Sequence, residues 1–138
     1  MHAGYFDSLK TVSSKVRNYS KIKATIQLQQ QMANGHDKTA KTLAAGNALT
    51  AADLNGYNAI STAILQQSAN ELQELQLVTT DGKLQMSDDQ RIARIDRCYA
   101  VMQHLYAQMQ QLNFQTVSLA VQRSRERKDR SEERRVGK

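Results

Sequence analysis

Proline and tryptophan are absent from this 138-residue chain, cysteine occurs once and glycine six times. Each shortage excludes something. Without proline, no helix is cut by a missing backbone donor; with so little glycine, a multi-strand β fold rich in turns is not expected. A single cysteine, Cys98, makes neither an intrachain disulfide nor a cysteine-rich metal site, so helix packing has to hold the fold. No apolar run approaches the roughly 18 to 20 residues that cross a bilayer, and no transmembrane segment is expected. The start, Met1-His2-Ala3-Gly4-Tyr5-Phe6-Asp7, lacks the basic and apolar regions of a secretory signal, which taken alone points to the cytoplasm. What the chain has in quantity forms helices: 16 glutamines and 16 alanines, within 40% apolar residues overall. The length bounds it to one small domain.

The net charge is +6, from 19 basic and 13 acidic residues. It is unevenly spread: residues 1–122 carry 11 basic and 9 acidic groups, residues 123–138 carry 8 and 4. Three readings of that tail stand. It is a solvated helix end whose cations suit the macrodipole, or an arm for nucleic acid or acidic lipid. The third reading concerns Arg130 to Lys138, which resemble the translation of a common sequencing adapter. On it, residues 1–129 are one helical-bundle domain from a longer protein, and residues 130–138 are a non-native or disordered basic tail.

Apolar periodicity locates three long helices. Phe6, Leu9, Val12, Val16, Tyr19, Ile22 and Ile26 recur every three or four residues, predicting a helix from about Tyr5 to Met32 that stops at Asn34-Gly35. Its lysines and Arg17 line the opposite face, which reads as solvated or as a binding strip. Residues 36–47 read as a connector with a weak short helix. Thr50 and Asp53 form a capping box. The second helix follows, its apolar positions Leu54, Tyr57, Ile60, Ile64, Leu65, Leu72, Leu75 and Val78. After the turn Thr79-Thr80-Asp81-Gly82 and a short link over 83–86, Ser87 and Gln90 form another capping box. The third helix starts at Asp88 and reaches at least Arg123. Ile95, Met102, Met109 and Thr116 take heptad position a; Cys98, Leu105, Leu112 and Leu119 take d. At about 1.5 Å per residue this helix outruns a compact globule. The expected fold is all-α: an elongated up-down-up three-helix bundle whose first and third helices lie side by side.

Groups able to do chemistry do not converge. His2, His36 and His104 are scattered, Cys98 and His104 point about 120° apart on one helix, and Asp88 with Asp89 suits a helix start. No phosphate loop or zinc spacing occurs. A non-enzyme is expected, with no cofactor, no metal and no small-molecule substrate. Ile92, Tyr99 and Tyr106 form a second heptad-spaced stripe, which either widens the core for another helix or offers a groove to a partner.

Three stretches together resemble a known family: Tyr5-Phe6-Asp7-Ser8-Leu9-Lys10; Leu49-Thr50-Ala51-Ala52-Asp53-Leu54 with Leu65-Gln66-Gln67-Ser68-Ala69-Asn70-Glu71-Leu72; and Met86-Ser87-Asp88-Asp89-Gln90-Arg91 with Ile95-Asp96-Arg97-Cys98-Tyr99. In this order they are similar to the conjugal-transfer proteins of Bacteroidetes-type conjugative transposons, a family carried as a domain of unknown function and compared with the minor-pilin component of type IV secretion systems. The resemblance implies a non-enzymatic assembly component of a conjugative apparatus. Its partners would be other proteins of that machinery, with no direct nucleic-acid binding, and its place the periplasm or cell envelope. Such relatives carry a signal peptide and a further N-terminal segment, which implies that Met1 is internal to a longer product. Asp96, Arg97, Tyr99 and Tyr106 are the candidate partner-binding residues. The alternative is a cytosolic bundle that binds nucleic acid or a partner helix through its basic face.

Overall fold

Side-chain caps decide where two of the helices begin. Ser87 Oγ accepts from the Gln90 amide at 3.1 Å while Gln90 Oε1 accepts from the Ser87 amide at 2.9 Å. Thr50 and Asp53 repeat the exchange at 3.1 and 2.9 Å. Both capping boxes read from the sequence are in place. The computed structural model describes residues 12–80 and 85–136; within these lie α1 (Ser14–Arg17), α2 (Ser20–Ala45), α3 (Ala51–Thr79) and α4 (Asp88–Val136). The predicted helix start near Tyr5, and residues 81–84 of the predicted turn and link, fall outside the described residues.

The described residues contain no strand, and α1 with α2 forms one bent first helix, so the all-α three-helix bundle holds. Its direction follows from which residues meet. Val16 packs with Val78 and Ile95, Met32 with Ile64 and Met102, and Arg127 reaches Asn47. Hence α2 and α4 run parallel with α3 antiparallel between their ends. The 49 residues of α4 span roughly 73 Å, so the molecule is elongated.

The first helix departs from expectation twice. It breaks at Asn18 and Tyr19, where Tyr19 is extended; Ser13, Asn18 and Ser20 are residues whose short polar side chains compete with helix, and Ser13 caps α1 by accepting from the Val16 amide at 3.3 Å. The break shifts the buried line. Val12 and Val16 lie in the core as predicted, but beyond the break Thr25, Met32 and Leu43 are buried while Ile26 is 40% exposed. The helix also runs through Asn34-Gly35 to Ala45, absorbing the connector in which a separate weak helix was expected. A glycine inside a helix costs about 1 kcal/mol, and packing of Met32 and Leu43 on either side outweighs it.

Two apolar layers make the core. Val12, Val16, Leu75, Val78, Ile95 and Cys98 close one; Met32, Ile64, Met102, Leu105 and Met109 close the other. The predicted a and d positions of α4 are thus buried from Ile95 to Met109, and Leu112, Thr116 and Leu119 are half-buried. On α3 the prediction misplaced Ile60, which is 51% exposed, and passed over Ser61 and Ser68, which are fully buried. Their hydroxyls donate to their own helix, to Asn58 O at 3.3 Å and Leu65 O at 2.7 Å. A serine satisfied in this way is small enough to let helices approach closely. Finally, α4 continues helical and exposed through Val136: no proline or glycine intervenes before Gly137, and the run 130–136 consists mostly of arginine and glutamate, good helix formers.

Candidate interaction surface

The break between α1 and α2 builds a polar cluster on the surface of the bundle. It turns Tyr19 so that its ring packs at the edge of the first core layer and its hydroxyl donates to Asp96 Oδ1 on α4 at 2.6 Å. Lys21 Nζ lies 3.2 Å from the same oxygen. The ammonium also stands 5.7 Å from the centre of the Tyr99 ring and 6.0 Å from that of Tyr19. One cation therefore sits between two aromatic rings with a carboxylate at its base, a combination of ion pair and cation–π contact. The hydrogen bond from Tyr19, and then Lys21, hold the Asp96 carboxyl below its usual range; the Asp96 hydrogen bond and charge push the tyrosine and the lysine up. Both charged side chains remain over two-fifths exposed, so the cluster is reachable from solvent.

Of the four residues singled out by sequence, this geometry brings together Asp96 and Tyr99. Arg97 is exposed about 100° around the helix from Asp96. Tyr106 lies farther along α4, packed against the second core layer, its hydroxyl accepting from Gln110 Nε2 at 2.9 Å. Ile92 and Tyr106 of the second stripe of α4 thus pack on the core, while Tyr99 stands beside Lys21. Tyr19 and Lys21 escaped the sequence reading. In the sequence Tyr19 reads as part of the apolar stripe and Lys21 as part of a solvated face or binding strip, and a contact across 77 residues leaves no local signal.

Other basic groups have structural employment. Arg91, 4% exposed, donates through Nη1 to Val78 O at 2.5 Å and so caps the end of α3. Arg123 forms a two-pronged ion pair with Asp53, whose carboxyl is held low first by the Thr50 amide and hydroxyl and then by this arginine. One turn on, Arg127 donates to Asn47 Oδ1 at 2.9 Å and Asn47 O at 2.8 Å. The two arginines clasp the loop between α2 and α3. Lys15 Nζ lies 3.8 Å from Asp89, a loose exposed pair.

The potentially reactive groups are dispersed. Burial, with the nearby Glu71 carboxylate second, pushes the Cys98 thiol up to about 12, far from the thiolate a nucleophile needs. His104 is exposed, whereas His36 stands edge-on to Tyr57 with ring centres 5.7 Å apart. Among the described residues no three His, Cys, Asp or Glu side chains group as a metal site, and no helix is long and apolar enough to cross a membrane. Comparison with protein-family models, curated proteins and solved structures finds no match to this chain.

Proposed function

We propose that this chain is a non-enzymatic structural or assembly component of a conjugative DNA-transfer apparatus of the type IV secretion kind, acting through protein contacts in the periplasm or envelope, with pilus association one form of that role. The observation that carries the reading is the Tyr19–Lys21–Asp96–Tyr99 cluster. It is built on Asp96-Arg97-Cys98-Tyr99, part of the third stretch that carries the family resemblance, and it presents two tyrosines with a fixed cation, chemistry suited to a protein interface. The engaged basic groups argue in the same direction. Lys21, Arg91, Arg123 and Arg127 are held by partners within the bundle, so these four side chains are not free to turn toward a phosphate backbone.

Deleting the gene from its conjugative element abolishes transfer on this reading, and restoring it recovers transfer. Transfer at the wild-type rate without the gene would sink the proposal. The nucleic-acid alternative predicts DNA affinity that collapses between about 50 and 200 mM salt and depends on the Lys10 to Lys23 face or on Arg123 to Lys128; a mobility-shift assay at the two salt concentrations separates the readings.

A further inference from the structure

The end of the bundle that the proposed function does not use carries a large apolar side chain turned to solvent. Phe114 on α4 is 74% exposed, and Val121, two turns on along the same face, is 43% exposed. Beside them a cavity of about 270 Å³ opens between the end of α2 and α4, lined by Leu43, Leu49, Val117, Val121, Ser124 and Arg125. Val117, Val121 and Arg125 also line the shallow groove that holds Phe114 and Ser118, so knob and hole share one surface.

We propose that this surface pairs two copies of the chain through antiparallel α4 helices, with the two-fold axis beside Ser118. In that register Phe114 of each copy stands opposite Gln122 of the other, at the mouth of the cavity, roughly four residues beyond the axis. The contact is isologous and closes on itself. Ser118, small and exposed, is the residue that must meet its own copy, and its size lets the helices approach.

The charge pattern selects the occupant and the direction. From Leu105 to Gln122 the helix carries no charged residue, whereas Arg123, Arg125, Glu126, Arg127, Lys128 and Asp129 follow immediately. A parallel pair would set Arg125 against Arg125 and Asp129 against Asp129. The antiparallel pair lays each charged half on the uncharged, glutamine-rich half of its mate and brings Arg125 within reach of the partner's Phe114 ring for a cation–π contact. With so few apolar side chains the interface falls below the size of stable complexes, and the dimer is weak, with a Kd in the micromolar range or above.

Sedimentation of the full chain from about 10 μM to about 1 mM tests this, with helicity and melting as the check on folding. The expected result is a reversible monomer–dimer equilibrium that Phe114→Glu shifts at least tenfold toward monomer without changing the melt. Orientation is read by oxidation: Ser118→Cys forms a disulfide-linked dimer, whereas Asp129→Cys, roughly 33 Å from its counterpart in the antiparallel pair, does not. Native Cys98 is buried and does not compete. A monomer across the whole range, a dimer indifferent to Phe114→Glu, or crosslinking of Asp129→Cys as fast as Ser118→Cys would overturn the proposal.

Discussion

At the end where α1 meets α3 and α4, six apolar side chains close a layer that excludes solvent and Arg91 caps α3 from inside it. At the other end, around residues 46–50, the loop is held by Arg123 and Arg127 reaching in from the surface, and large apolar groups face outward. The difference is energetic as well as spatial. Each buried leucine or isoleucine contributes roughly 1.5 to 3 kcal/mol, while ion pairs near the surface are screened and contribute little. One end is closed by burial, and the other is held from the surface by two arginines.

Substitutions at the two ends put this contrast to the test. The largest effect is expected from Leu105→Ala in the second core layer, a loss of about 2 to 5 kcal/mol in chemical denaturation; a variant as stable as the parent would mean that the layer does not exist as described. Next comes Arg91→Ala, which leaves the buried Val78 carbonyl without that donor, at a cost of about 1 to 3 kcal/mol, measured in the same way. In the opposite sense, Gly56→Ala on the exposed side of α3, where an added methyl meets no atom within 4 Å, should stabilise by about 0.5 to 1 kcal/mol. Arg123→Ala, at the clasped end, is expected to lower the melting temperature only slightly, because Thr50 still holds the Asp53 carboxylate. If its cost rivalled that of Arg91→Ala, the contrast between the ends would fail.

The smallest effect concerns pH at the surface cluster. The carboxyl of Asp96 titrates below its unfolded value, near 3.9, so its stabilisation is fully present above about pH 4 and is lost as pH falls through the lower, folded value. Asp96→Asn should therefore trail the parent at neutral pH by a margin that narrows in acid, read from denaturation midpoints at both pH values. A margin that stays constant or widens in acid would assign the effect to something other than the charge.

How much of this was legible in the sequence depends on whether the signal was local. Capping boxes at Thr50 and Ser87 span four residues, and both were legible. So was the seam of α4, because apolar residues repeat there at a fixed spacing over several turns. The break at Tyr19 was not, since the apolar stripe runs on through it and the Tyr19–Asp96 contact that accompanies it spans 77 residues. Nor were Ser61 and Ser68, which a count of apolar residues passes over although they repeat in heptad register with Leu75. The Tyr19–Lys21–Asp96–Tyr99 cluster was half legible: its α4 members were picked out through the family resemblance, while its first-helix members depended on tertiary geometry. Arg123 and Arg127 read as tail charge until the loop they hold was placed beside them.

We propose that the surface cluster, rather than the basic composition, connects this chain to partner proteins. The most direct measurement is transfer frequency in a deletion strain complemented with Lys21→Ala/Tyr99→Ala, after the melt has shown the variant folded, beside Arg97→Glu, which alters an exposed charge outside the cluster. At least a tenfold loss of transfer is expected for the double variant, and near-normal transfer for Arg97→Glu. Full transfer by a folded double variant would contradict the proposal.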